Sequence, residues 1–350
     1  MSLYDAVADL PLTIEREERA QRRSDTTSGF ERVTTEVSLV GDEAVGRGED
    51  VAYEVEAHEA LATLELGAFD LAGGWTFGEF SDHLAETDLF PEAAPGREHA
   101  RHYRRWAYES AALDLALRQA DTDLGEVLDR DPDPVRFVVS TRLGDPPTPE
   151  RVESLLADDP AREFKLDPTP EWTGDLVTAL ADTDAVRVVD LKGFYQGTDV
   201  DVPTDPELYE LVVDAFPKTV IEDPDVAPET REILESEADR IAFDYPVTGV
   251  ESLQDLPIDP GWCNVKPSRF GSVESLLETV EYCEQEGIQL YGGGQFELGV
   301  GRDQIQILAS LLYADAPNDV APREFNDPDR APPFPESPLP AASLSGFGWD

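Results

Sequence analysis

The chain has 350 residues, with 27 basic and 75 acidic side chains and a formal net charge of −48. A hydrophobic fraction of 40% with five tryptophans supports a packed core and argues against a disordered acidic chain. A surface this negative repels phosphates, which disfavours nucleic acid as a partner.

The charge is spread along the whole length, which fits a salt-adapted cytoplasm where counter-ions screen self-repulsion. No apolar stretch reaches the ~20 residues needed to cross a membrane. The start, Met1-Ser2-Leu3-Tyr4-Asp5, lacks the basic and apolar pattern of a signal peptide. These features predict a cytoplasmic protein with no membrane partner, and a homo-oligomer is compatible with them. Cys263 and Cys283 form neither a disulfide framework nor a zinc signature and are expected to be buried thiols.

In chain order, Leu12 to Glu15, Phe30 to Val40 and Val51 to Val55 alternate as strands do. Trp106 to Arg118 has helical spacing. Together they predict an α+β domain over 1–130. From Val135 short apolar runs recur with helical segments between them: Phe137 to Val139, Glu163 to Lys165, Val186 to Leu191, Thr219 to Ile221, Arg240 to Phe243, Cys263 to Lys266, Ile288 to Tyr291 and Asp319 to Ala321. Eight strand-plus-helix units predict a parallel β/α barrel over 131–325. Gly301 to Leu308 is expected to open the helix after the seventh run. Residues 326–350 are proline-rich and predicted to be irregular.

In such a barrel, function gathers where the strands end. Runs three, four and five end in Asp190, Glu222 and Asp244. Three unpaired carboxylates at one mouth repel one another, and a hard divalent cation with oxygen ligands resolves the conflict. Mg²⁺ is therefore expected, with Mn²⁺ as the alternative. Lysine is scarce: Lys165, Lys192, Lys218 and Lys266 are the only four, and three of them close barrel runs. Lysine can act as a base when its surroundings lower its pKa, which arginine cannot do. A Schiff-base role for Lys266 leaves the three carboxylates without a purpose. The Gly292-Gly293-Gly294 run follows the seventh strand, so it does not fit a dinucleotide fingerprint. A tight turn or close backbone approach to a substrate carboxylate suits it better.

The order lysine, Asp190, Glu222, Asp244, Lys266 over runs two to six resembles the enolase superfamily. The branch is that of muconate-lactonizing and o-succinylbenzoate-synthase-like enzymes. The stretch Asn264 to Gly271 is similar to the region around that branch's sixth-strand lysine, and Gly46 to Tyr53 with Trp106 to Arg118 resembles its capping domain. The resemblance implies a modified (β/α) barrel with an N-terminal α+β capping domain. It also implies a Mg²⁺-dependent lyase or isomerase that removes a proton α to the carboxylate of a small substrate, through a metal-stabilised enediolate. Asp190, Glu222 and Asp244 match the metal ligands. Lys266, Lys165 and Lys192 are the candidate acid/base or cationic groups, and Asp167, Arg269, Gln295 and Glu297 the candidate substrate contacts.

Three departures from that pattern matter. The second run carries one lysine where the family has K-x-K. Either Lys165 is the base and Glu163 replaces the first lysine, or Lys165 is the first lysine and Asp167 stands at the base position. The third run reads Asp190-Leu191-Lys192 instead of D-x-N, so Lys192 either supplies a missing cation or pairs with a carboxylate. The fifth run has Tyr245 after Asp244 instead of glutamate. The altered acid/base set leaves a non-catalytic binding or structural protein as the alternative. His58, His83, His99 and His102 all precede the barrel, which disfavours histidine-base chemistry and suggests surface or helix positions for them. Arg16 to Asp25 and Leu71 to Phe80 are candidate specificity loops.

Overall fold

The structure is a computed structural model that describes residues 2–41, 43–195 and 202–350. The N-terminal part is built on an antiparallel meander of β2 (Arg16–Asp25), β3 (Glu31–Gly41) and β4 (Ala44–Asp50). Beside it β1 (Pro11–Ile14) pairs antiparallel with β5 (Gly73–Thr76). Arg16 to Asp25 is thus a strand and not a loop. It pairs with β3 along its whole length, and its alternating charges meet partners across the ladder, as Arg22 meets Glu36 at 2.6 Å.

The expected strand over Val51 to Val55 is absent. The ladder ends at Asp50, whose carboxylate accepts the Ala52 N–H at 3.0 Å and pairs with Arg104 at 2.8 Å. A helix starts at Val55 instead. The preceding glycines belong to β4, which lies flat on the helix His99–Gln119. A Cβ on Gly46 or Gly48 would stand 2.1 Å from the carbonyl oxygen of Ala111 or Ala107. That helix is buried on nearly every face from Trp106 to Leu117. It is sandwiched between the meander and the second half of the chain, so an apolar stripe alone does not suffice. Its buried charges are paired, Arg104 with Asp50, Arg105 with Glu109 and Arg118 with Asp114.

The second half is a parallel sheet in simple chain order: β6 (Val139–Thr141), β7 (Phe164–Leu166), β8 (Val186–Asp190), β9 (Val220–Glu222), β10 (Ile241–Phe243), β11 (Trp262–Val265) and β12 (Gln289–Gly292). These correspond to the first seven apolar runs. The eighth, Asp319 to Ala321, forms no strand and closes the sheet by single bridges. Gly293 bridges to Asp319 and Phe137 to Asn318, with N–H to O distances of 2.8 Å from Asp319 to Gly292 and from Val138 to Asn318. Pro317 and Pro322 flank this run and remove the donors a longer ladder needs. The fold is an α/β modified barrel of the enolase type, carrying an N-terminal antiparallel sheet.

The helix after β12 runs Val300–Leu312. The C-terminal segment ends in a hairpin of β13 (Leu344–Ser345) and β14 (Gly348–Trp349). Phe347 at its turn is fully buried, and its N–H donates to Asp114 at 2.8 Å. Cys263 and Cys283 are free and buried. Among the described residues no helix is long and apolar enough to cross a membrane.

Candidate active site

Side chains two apart along an extended chain share a face, so Lys165 in β7 and Asp167 just after it both turn inward, with Asp167 nearer the mouth. Glu163 lies at the opposite end, held by Arg136 at 2.6 Å and Arg187 at 2.6 Å. Lys165 is 2% exposed and surrounded by carboxylates. Its Nζ lies 2.6 Å from Glu222 Oε1, 3.2 Å from Asp190 Oδ2 and 3.5 Å from Asp319 Oδ2. Burial works to lower its pKa, but those three carboxylates raise it well above the usual lysine value. In this arrangement those carboxylates favour the protonated ammonium.

Asp190, at the end of β8, is bonded by Lys192 and approached by Lys165. Burial opposes its ionisation, yet Lys192 and Lys165 hold its carboxyl down at about 2. Glu222, at the end of β9, accepts Lys165 on one oxygen and the Tyr291 hydroxyl on the other, at 2.6 Å each. Burial raises its pKa, Lys165 opposes this, and the carboxylates of Asp190 and Asp244 add to it, leaving it at about 7. Asp244, after β10, accepts Lys266 at 2.7 Å and the Tyr195 hydroxyl at 3.1 Å, with Arg269 at 3.5 Å. Burial raises its pKa, but Arg269 and Lys266 bring it below the ordinary carboxylate range. Its Oδ1 has no hydrogen-bond partner.

Asp190, Glu222 and Asp223 each place an oxygen within 4.8 Å of the others. Asp223, which follows β9 with a left-handed backbone (φ 47°), accepts the N–H groups of Asp244 and Tyr245 at 2.8 and 2.9 Å. It braces the end of β10 against β9. This group of buried hard oxygen donors suits Mg²⁺, and Asp244 Oδ1 faces Arg269 at 3.5 Å without a hydrogen bond.

Each carboxylate expected as a ligand therefore has its own lysine: Glu222 has Lys165, Asp190 has Lys192 and Asp244 has Lys266. The remaining lysine, Lys218, is exposed. Asp167 lies at the mouth, 3.6 Å from Lys192. Its pKa is raised, first by burial and then by Asp190, against the pull of Lys192. Gln295 and Glu297 sit at the joint with the N-terminal part. The Gln295 carbonyl accepts Arg32 at 3.0 Å, its side chain accepts the Tyr53 hydroxyl at 2.9 Å, and Glu297 pairs with Arg302 at 3.1 Å. The glycine run does permit a close approach, but by a protein side chain: a Cβ on Gly293 would stand 2.7 Å from Lys266 Cε.

Sequence reading missed several neighbours. Tyr195, Tyr291, Asp223 and Asp319 all touch the charged cluster, and Asp223 and Asp319 sat in plain view next to the strand ends. His99 and His102 reach the mouth from the long N-terminal helix. His99 lies 4.9 Å from the Tyr245 ring, and His102 Nδ1 is 2.7 Å from the Arg269 carbonyl oxygen. Burial, then the charges of Arg269 and His102, lower the His99 pKa to about 4, so it is neutral at neutral pH. No linear pattern joins that helix to the barrel rim.

Residues 131–327 match the C-terminal domain, and residues 5–127 the N-terminal domain, of a family described as domain of unknown function DUF8230. The chain belongs to the DUF8230 family. This DUF8230 chain is also similar to solved structures over nearly its full length. A dipeptide epimerase from Methylococcus capsulatus, complexed with Mg and the dipeptide L-Arg-D-Lys, superposes with a TM-score of 0.73 at 19% identity, covering 96% of this chain and 99% of that one. An enolase-superfamily member from Listeria innocua Clip11262 gives 0.72 at 18% identity, covering 97% and 94%. The muconate lactonizing enzyme of Pseudomonas putida gives 0.68 at 16%, covering 97% of both chains. In sequence, 84 residues are 32% identical to the o-succinylbenzoate synthase of Bacillus subtilis (strain 168). That match spans 23% of this chain and 22% of the synthase.

Proposed function

We propose that this chain is a Mg²⁺-dependent lyase or isomerase that moves a proton α to the carboxylate of a small substrate. The observation that carries the reading is the row Asp190, Glu222 and Asp244 on three consecutive strand ends, with Asp167 on one side and Lys266 on the other. Asp190 and Glu222 would hold the ion. Asp244 would be the third ligand, because Asp223 already spends both oxygens on backbone amides. When bound, the ion supplies a Lewis acid for the substrate carboxylate.

The chain's own groups divide the remaining tasks. Lys266 Nζ, on β11's end, is placed to exchange a proton with a substrate lying across the mouth. Asp167, with its raised pKa, takes the acid/base position that a lysine holds in the family pattern. Lys165 is a fixed cation between Glu222, Asp190 and Asp319. Arg269, 2% exposed and 5.0 Å over the Tyr245 ring, is the substrate-facing guanidinium. One similar structure holds the dipeptide L-Arg-D-Lys and another is a muconate lactonizing enzyme, so dipeptides and muconate are the first substrates to try.

The test is proton exchange. The chain is incubated in D₂O with Mg²⁺ and a panel of dipeptides and other small carboxylates, and deuterium at the α-carbon is followed by NMR. Mg²⁺-dependent exchange that disappears in Asp190→Asn, Glu222→Gln and Lys266→Arg is expected. Equal Mg²⁺ affinity in the parent and in Glu222→Gln would sink the metal assignment. One observation favours a second reading: the second strand carries a single lysine, and Lys165 is held by Glu222, Asp190 and Asp319. Metal binding and carboxylate binding without exchange would identify a non-catalytic binding protein on this fold.

A further inference from the structure

Lys192 has a left-handed backbone, φ 55°. That conformation lets one residue grip Asp190 twice. Its N–H donates to Asp190 Oδ1 at 3.2 Å, and its ammonium bonds Oδ2. On the other side the ammonium lies 3.6 Å from Asp167 Oδ1, a buried oxygen with no hydrogen-bond partner. The Tyr195 ring stands 5.1 Å away and covers the ammonium. A single cation is thus hydrogen-bonded to one carboxylate and within a small side-chain movement of hydrogen-bonding a second, to which it is already ion-paired.

We propose that Lys192 is a tethered counter-ion at the metal position of Asp190, so that a divalent cation binds there in exchange for the ammonium, which moves onto Asp167. The inference rests on the metal reading above and adds a device to it. Before exchange, Lys192 is hydrogen-bonded to Asp190 and reaches Asp167 Oδ1 only as a longer ion pair, at 3.6 Å. After exchange the divalent ion compensates Asp190, and Asp167 carries the ammonium. Metal occupancy therefore sets the charge environment of Asp167. Lys165 does not take part in the same way, because it is held among three carboxylates at once.

Titration calorimetry with MgCl₂ on the full chain, at one fixed salt concentration, tests this. Lys192→Asn removes the ammonium while keeping a residue that tolerates the left-handed backbone. It should bind Mg²⁺ about tenfold more tightly or better, the scale of one charge-assisted hydrogen bond. Asp167→Asn should bind Mg²⁺ more weakly, because the displaced ammonium loses its second partner. Lys192→Arg keeps the charge and should gain nothing. If Lys192→Asn binds no more tightly than the parent, or if Lys192→Arg gains as much as it does, the exchange is wrong while the metal site stands. If neither the parent nor Lys192→Asn binds Mg²⁺, the metal reading fails and takes this inference with it.

Discussion

Asp190 sits where two ammonium groups converge, and its acid behaviour follows from them. Its ordinary value of 3.8 falls to about 2 in the folded chain, although burial alone would raise it. A folded-state pKa below the unfolded one means that the unfolded chain binds the proton first as pH falls. The resulting stability is complete above about pH 5 and is lost progressively toward pH 2. Lys192→Asn should make the pH dependence of stability in that window shallower. Urea unfolding at stepped pH measures the slope. An unchanged slope would mean that Lys165 alone keeps Asp190 ionised. Lys165 itself is the residue whose role the surroundings redefine most. In an open environment it would be a candidate base, but three carboxylates within 3.5 Å favour its ammonium form.

β4 shows how one element can depend on two side chains being missing. Gly46 and Gly48 let the strand rest on the backbone of the helix His99–Gln119, with no space for a Cβ at either position. Gly46→Ala or Gly48→Ala should push strand and helix apart and destabilise by about 1–3 kcal/mol or more, the range of core overpacking. A melting temperature within a degree of the parent would show that the helix can shift freely. Because His99 and His102 ride on that helix, the same variants should also disturb the barrel mouth at Tyr245 and Arg269. A second joint ties the two halves. Glu49, at the end of β4, accepts the N–H groups of Leu298, Gly299 and Gly301 at the start of Val300–Leu312. An anion there caps otherwise unpaired donors and opposes the helix dipole.

At the scale of the whole molecule the charge of −48 dominates. Many of its ion pairs lie on the surface, such as Arg16 with Glu18 and Arg23 with Glu31, and each such pair is worth little. Net repulsion is therefore expected to destabilise the compact state at low ionic strength. The Debye length falls from about 10 Å at 0.1 M salt to about 3 Å at 1 M. The melting temperature should rise across that range, read by circular dichroism in NaCl and again in KCl. A flat or falling melting temperature would count against a salt-adapted protein.

Local chemistry made much of this legible in the sequence. Apolar runs separated by helical segments are a short-range pattern, and each run's end can be read without knowing what it faces. That is why seven barrel strands, the helix around Trp106 and the acidic residues at the rim could be placed from the chain alone. The eighth run could not, because two flanking prolines turned a strand-like sequence into a pair of bridges. Nor could the loop expected over Arg16 to Asp25, whose pairing with β3 depends on a partner strand. What only the tertiary structure decided is who neutralises whom. Lys165 and Glu222 are 57 residues apart and Lys266 and Asp244 are 22 apart. His99 meets Tyr245 from a helix of the N-terminal part. The placing of Lys165 deep and Asp167 at the mouth follows from where β7 stops relative to its neighbours. Periodicity records which face a residue is on, but pairing across the barrel depends on distances through space that no linear spacing contains.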